Sequence, residues 1–222
     1  MNSSSLRDVL VLLPLPTAET LYMTLVSTIL ASIMGFPLGA WLYSTAPLGL
    51  NPRPLLYSVI SRVVNLFRSM PFIILIILVF PLSRLIVRTS IGPTATIIPL
   101  SLAASPFVAR IVESALAEVE GGVLVAAKAM GSTSLQIILK VLVPEALPAL
   151  VSGLSLTIIN LIGYSAMAGA VGGGGLGHLA ISYGYHRFRM DVTIAAVIII
   201  LLMVELIQKA GSDLSRRLLS KR

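Results

Sequence analysis

The sequence predicts an all-α integral membrane protein with five transmembrane helices and a polar, helical loop on the cytoplasmic side between the third and fourth. Two observations carry this expectation. The 222 residues are 56% hydrophobic and only 11% charged, against roughly 25% charged in soluble globular domains. That leaves too few charges to cover a soluble globule of this size, whereas lipid can cover it. The apolar residues also gather into segments near the length of roughly 20 residues that a bilayer core demands.

Five segments qualify: Thr20 to Tyr43, Leu55 to Phe80, Gly92 to Val112, Leu147 to Val171 and Asp191 to Gln208. The second is the least regular. Arg62, Asn65 and Arg68 interrupt its first half, before an unbroken apolar run from Phe72 to Phe80. The third carries Pro93, Pro99 and Pro106, so a kink or partial break is expected there.

Five spans put the termini on opposite sides, and lysine and arginine choose the orientation. With the C-terminus inside, the cytoplasmic side holds Arg53, Arg62, Arg68, Arg110, Lys128, Lys140, Lys209, Arg216, Arg217, Lys221 and Arg222. The other side holds Arg7, Arg84, Arg88, Arg187 and Arg189. That is eleven against five, so the N-terminus is expected outside and the C-terminus in the cytoplasm. The net charge of +7 therefore reads as positive-inside loops. It does not read as a nucleic-acid surface, which would gather its basic residues on one accessible face.

Several chemistries are not expected. The chain has no cysteine, and His178 and His186 lie eight residues apart without nearby carboxylates, so neither a disulfide nor a metal site is expected. No G-x-x-x-x-G-K-[ST] string occurs, so the chain lacks the Walker cradle for ATP phosphates, and no cofactor is expected. The glycine cluster Gly172 to Gly175 with Gly177 reads as a flexible turn between spans. The stretch Val9 to Leu15 is short, interrupted by Pro14 and without an A-x-A pattern, which makes a poor signal peptide.

The stretch from Glu113 to Leu147 is too polar to span and reads as two short helices. The first runs near Gly122 to Met130 and stops at Gly131, a residue suited to a left-handed C-terminal cap. The second starts with Thr133 as its cap, with Gln136 in capping-box position. Pro144 and Pro148 punctuate the return to the membrane. Ala126, Ala127 and Ala129 would let a partner surface approach the first helix closely. By pattern alone, a docking element and an ordinary interfacial loop both stay open.

Those residues resemble a known motif. Ala126-Ala127-Lys128-Ala129-Met130-Gly131, followed by Ile137, Pro144 and Leu147, is similar to the cytoplasmic EAA loop of ABC-importer permeases. In that family the loop forms a coupling helix seated in a cleft of the ATPase subunit. The acidic residue that usually opens the motif falls at Val125, a departure that removes a polar anchor. Further strings resemble the methionine-importer branch. They are Glu19-Thr20-Leu21 with Met23-Thr24, the run from Asn65 to Ile73, Pro106-Phe107 with Ala109-Arg110, and the run from Gly163 to Gly172.

The resemblance implies a homodimer of this subunit, two copies of an ATP-binding subunit, and an extracytoplasmic substrate-binding protein that delivers methionine or a related amino acid. It divides the chain into an extracytoplasmic segment at residues 1–18, an importer transmembrane domain at 19–211 with its coupling loop at about 113–147, and a basic cytoplasmic tail at 212–222. The docking residues implied are Ala126, Ala127, Lys128, Ala129, Met130 and Gly131.

The fourth span holds the candidates for a gate and path. Met167 sits among alanines and glycines, where helices approach closely. It reads either as a packed core methionine or, as the resemblance implies, as a flexible apolar plug. Asn160, Tyr164 and Ser165 either line a polar path or hydrogen-bond between helices. Arg68 reads as a snorkelling residue or as a contact to the coupling region. A rival class, an ion-coupled secondary transporter, would keep an ionisable group near mid-membrane. Glu205 is the carboxylate within the fifth span, and Lys209 four residues later suits an interfacial ion pair.

Overall fold

A computed structural model describes residues 9–220 of the chain. The elements are α1 Pro14–Thr45, α2 Pro54–Ser69, α3 Phe72–Val87, α4 Pro93–Ala117, α5 Gly121–Ala129, α6 Ser134–Gly169, α7 Gly175–Leu179 and α8 Met190–Leu219. No strand occurs among the described residues. Four helical stretches are long and apolar enough to cross a membrane: Val9–Thr45, Pro93–Ala117, Ser134–Gly169 and Met190–Leu219. The fifth crossing expected from the sequence is a broken one. Its two halves, α2 and α3, meet at 103°.

The break has a local cause. Pro71 forces the residue before it out of helical backbone, and Met70 is extended at ψ 129°. Phe72, the first residue of α3, is then buried and stacked on Tyr164 of α6, with ring centroids 4.7 Å apart and an interplanar angle of 7°. The amphipathic α2 buries Ile60 and Val64 against Leu42 and Ala109, while Arg62 and Asn65 stay exposed.

The break expected in the third span does not occur, because α4 runs through Pro99 and Pro106 as one helix. Pro106 cannot donate to the Leu102 carbonyl, and the Ser105 hydroxyl donates to it instead at 3.3 Å. The second elbow helix also differs from expectation, since it is not separate from the fourth span. It passes through a π-helical turn, Ile138–Leu142, into the rest of α6. Pro144 has no N–H for the Lys140 carbonyl, and the wide turn closes through Val143 N–H to the Ile138 carbonyl. At the chain ends, the boundaries expected at residues 18 and 212 fall inside α1 and α8. Val9 and Leu13 pack with Ile162, Leu176, Leu179 and Val192.

The core is α1 against α4. Gly35 and Gly39 lie on the shared face, where a side chain would collide with α4: a Cβ at Gly35 would sit 2.6 Å from the Ser105 carbonyl oxygen. The G-x-x-x-G spacing of Gly35 and Gly39 is the usual signal for such an approach in membranes. Around this pair, Gly153 of α6 meets Ile111 of α4, and Gly211 of α8 meets Ser155 of α6.

Hydrogen bonds sort the ends of the bundle into two layers. At one end Asn51 Nδ2 donates to Ser134 Oγ at 3.0 Å, and Ser215 Oγ donates to the Pro148 carbonyl at 3.0 Å. The loop after α1, the elbow and the last turns of α8 therefore share that end. At the other, Gly92 N–H donates to the Gly172 carbonyl at 2.9 Å, and Gly175 N–H to Glu19 Oε2 at 2.7 Å. The glycine turn is therefore a fastened junction, not the flexible link expected. Leu176 N–H donates to Thr20 Oγ1 at 2.9 Å, and Thr96 Oγ1 donates to the Gly173 carbonyl at 3.3 Å. Gly172, Gly174 and Gly175 adopt φ of 83°, 82° and 74°, backbone that only glycine takes at little cost.

Candidate functional site

The elbow is built from two helix ends, each closed by its own cap. Helix α5 is followed by Met130 as its C-cap, and Gly131 takes φ 76°. Ser132 N–H donates to the Ala127 carbonyl at 3.2 Å, and Gly131 N–H to the Lys128 carbonyl at 3.0 Å. Those two bonds are the Schellman arrangement, which satisfies carbonyls that the helix end leaves open. Two residues on, Thr133 N–H donates to Gln136 Oε1 at 2.9 Å while Gln136 N–H donates to Thr133 Oγ1 at 3.4 Å. Both caps stand where the sequence places them.

Of the six residues singled out, Ala127 alone is buried and anchors α5 on the core that holds Ile137, Ile138 and Leu142. Ala126, Lys128, Ala129, Met130 and Gly131 are exposed. Val125, Met130, Leu135 and Leu139 are large apolar side chains, and all four are more than half exposed. An apolar surface with a basic residue at this end of the bundle has no cover within the chain.

The second region is one face of α6. Ser152, Leu156, Asn160, Gly163, Met167 and Ala170 are exposed and recur at three- and four-residue spacing, the period of one helical stripe. Met167 is 51% exposed, so within this chain it is not a packed core residue. Asn160 lies on the same stripe. Tyr164 is half-buried beside it through its stacking on Phe72. Ser165 faces the other way, buried, with its hydroxyl donating to the Ile162 carbonyl at 2.8 Å. The structure thus joins Asn160, Met167 and the edge of Tyr164, and separates Ser165 from them.

Two polar arrangements are absent from the sequence reading in this form. Arg110 of α4 does not reach for water as a helix-end residue would. Its Nη1 donates to Glu113 Oε2 at 2.6 Å, and its Nη2 to the Ser61 carbonyl at 3.1 Å, to Ser61 Oγ and to Asn65 Oδ1 at 3.0 Å. This fan of bonds ties α2 to α4. Arg68 packs its guanidinium over Phe107 at 5.8 Å from the ring centroid, and does not turn toward the elbow. The spacing of polar residues in α2 was the available signal, but only the bend at Pro71 brings α2 across α4. The ion pair expected between Glu205 and Lys209 is not formed. Both side chains are exposed on α8, and the salt bridges among the described residues are Arg110–Glu113 and Arg189–Asp191.

Known proteins resemble this chain in sequence and in fold. The family described as binding-protein-dependent transport system inner membrane component matches residues 35–210. A Pasteurella multocida protein described as a probable D-methionine transport system permease protein MetI is 48% identical over 206 residues, covering 93% of this chain and 95% of its own. The methionine import system permease protein MetP of Bacillus subtilis is 48% identical over 206 residues, covering 93% and 92%. A solved structure of inward-facing conformations of the MetNI methionine ABC transporter superposes with a TM-score of 0.93 at 44% identity, covering 98% of this chain and 99% of that one. The match spans the elbow and the exposed face of α6 together, and on that ground the chain belongs to the family of binding-protein-dependent transport system inner membrane components.

Proposed function

We propose that this chain is the membrane permease subunit of an ATP-driven importer, forming the translocation pathway for methionine as a homodimer. The observation that carries the reading is near-half identity, along nine-tenths of both chains, to permeases of methionine systems in two distant bacteria. Two copies of an ATP-binding subunit hydrolyse ATP, and an extracytoplasmic binding protein delivers the substrate. The N-terminus lies outside and the C-terminus in the cytoplasm, as the excess of lysine and arginine at the elbow end favours.

In this reading residues Ala126 to Gly131 dock on the ATPase, which covers the apolar patch around Met130. The stripe of α6 faces the second copy across the pathway, and Met167 closes that pathway toward the outside. A methionine side chain suits the role, because it is apolar, bulky and flexible enough to move aside. Closure of the ATPases then pushes on a support made stiff by its two caps, and the push passes into α6 through the π-helical turn.

The first test is affinity purification of the tagged chain in mild detergent. The expected result is an ATP-binding subunit recovered in equal amount, together with binding-protein-dependent methionine uptake by the reconstituted complex. A chain that repeatedly purifies alone and transports down an ion gradient would overturn the proposal. Met167→Ala is expected to keep assembly and to raise passive methionine leak in vesicles several-fold. Unchanged leak and unchanged transport would remove Met167 from the gate.

A further inference from the structure

Two cavities flank the exposed face of α6, and they share Arg68 and Phe107. One, of about 210 Å³, is lined by Phe67, Met70, Phe72, Leu75, Ala103 and Tyr164 in addition. The other, of about 480 Å³, reaches Ser152 and Leu156, which belong to the exposed stripe. Together they fall in the range of small-molecule sites, roughly 300–1,000 Å³. Their chemistry is divided: aromatic and thioether groups line the smaller one, and a guanidinium stands where the two meet.

Arg68 is placed there by the broken crossing. It lies at the end of α2, beside the 103° bend into α3, and its contact is with the face of Phe107. Arg68 has no ion-pair partner among the described residues, whereas Arg110, which lines the larger cavity, is held by Glu113. The Arg68 side chain is exposed, so its guanidinium is open to an anionic group that enters the cavities. Broken helices are also where membrane transporters commonly hold their substrates.

We propose that this pair of cavities is a binding site for the transported amino acid inside the permease itself. Arg68 takes the α-carboxylate, and Met70, Phe72, Phe107 and Tyr164 surround an apolar, thioether-bearing side chain. The proposal rests on the methionine reading above. A guanidinium presents paired donors to a carboxylate, and sulfur packs favourably on aromatic rings. The binding protein would then be one of two points at which the substrate is selected.

The test uses the assembled transporter in lipid nanodiscs without binding protein, probed with tritiated L-methionine. Unlabelled L-methionine is expected to displace the label at least tenfold better than L-methioninol, which keeps the amine but has lost the carboxylate. Arg68→Gln is expected to weaken methionine binding about tenfold or more and to abolish that discrimination, while Arg68→Lys keeps part of it. Phe107→Ala is expected to leave the carboxylate preference and to narrow the advantage of methionine over alanine. If Arg68→Gln binds and discriminates like the wild type, the site is overturned. If the wild-type nanodiscs retain no methionine while the reconstituted transporter imports it, the site is overturned and the function stands. A wild-type transporter that imports no methionine overturns the function and the site with it.

Discussion

Gly131→Arg is expected to leave the protein in the membrane at near-normal levels and to reduce ATP-driven uptake at least tenfold. Within the chain the change is small. A Cβ at Gly131 would meet nothing within 4 Å, so the elbow has room for a side chain. The local cost is the left-handed backbone at φ 76°, about 1–2 kcal/mol for a residue other than glycine. That cost falls on a surface turn closed by two Schellman bonds, away from the α1–α4 core. A long cation projecting beside Met130 and Lys128, in contrast, would stand in the way of any surface that docks there. Gly131→Ala separates the two effects, since it carries the backbone cost without the obstruction. It is expected to keep most uptake and to co-purify the ATPase. Loss of uptake in Gly131→Ala as severe as in Gly131→Arg would shift the cause from docking to the cap, and normal uptake by Gly131→Arg would sink the docking role.

Gly39→Leu is expected to cost about 3 kcal/mol, the upper end for an overpacked contact, and to deplete the folded protein from the membrane. A Cβ at Gly39 meets the Ala109 carbonyl oxygen, and lies 2.7 Å from Val112 Cβ. The first of these is backbone, which cannot rotate away, so α1 and α4 must move apart. Their separation would also strain the Ser27 hydroxyl bond to the Ile97 carbonyl, now 3.3 Å. Helices in lipid associate by close packing more than by hydrophobic burial, so lost contact is not recovered elsewhere. Gly163→Ala is the control. Its Cβ has open space within the chain, and Gly163 lies on the exposed stripe of α6. Thermal unfolding in detergent checks both. Equal stability of Gly39→Leu and wild type would mean that the α1–α4 approach does not hold the bundle together.

Much of the elbow was legible from residue types. Gly131 as a left-handed cap and Thr133 with Gln136 as a capping box are local rules, satisfied within six residues of chain. The four long spans were legible for a similar reason, because burial in lipid acts on each apolar segment by itself. The fate of the prolines was not. Pro71 and Pro106 both remove a backbone donor, yet the chain turns through 103° beside Pro71 and continues as helix through Pro106. The difference lies in neighbours. Phe72 finds a stacking partner in Tyr164 once the chain bends, and Ser105 repairs the carbonyl that Pro106 leaves open.

Arg68, Arg110 and Glu19 divide along the same line. Each is recognisable in the sequence as a polar residue close to an apolar run, and apart from the Arg110–Glu113 pair three residues apart, nothing local says what it will meet. Arg110 finds Ser61 and Asn65, more than forty residues away, and Glu19 finds Gly175 at the far end of the chain. By itself the sequence determined that the chain is a membrane protein, where its apolar segments lie, how the elbow is capped and which family motif it resembles. Only the tertiary structure decided which face of α6 is left uncovered, which of its polar residues share that face, and that Arg68 stands unpaired over Phe107. The first set follows from interactions between each residue and its solvent or its near neighbours. The second depends on contacts between segments distant in the chain, and those exist only once the helices have packed.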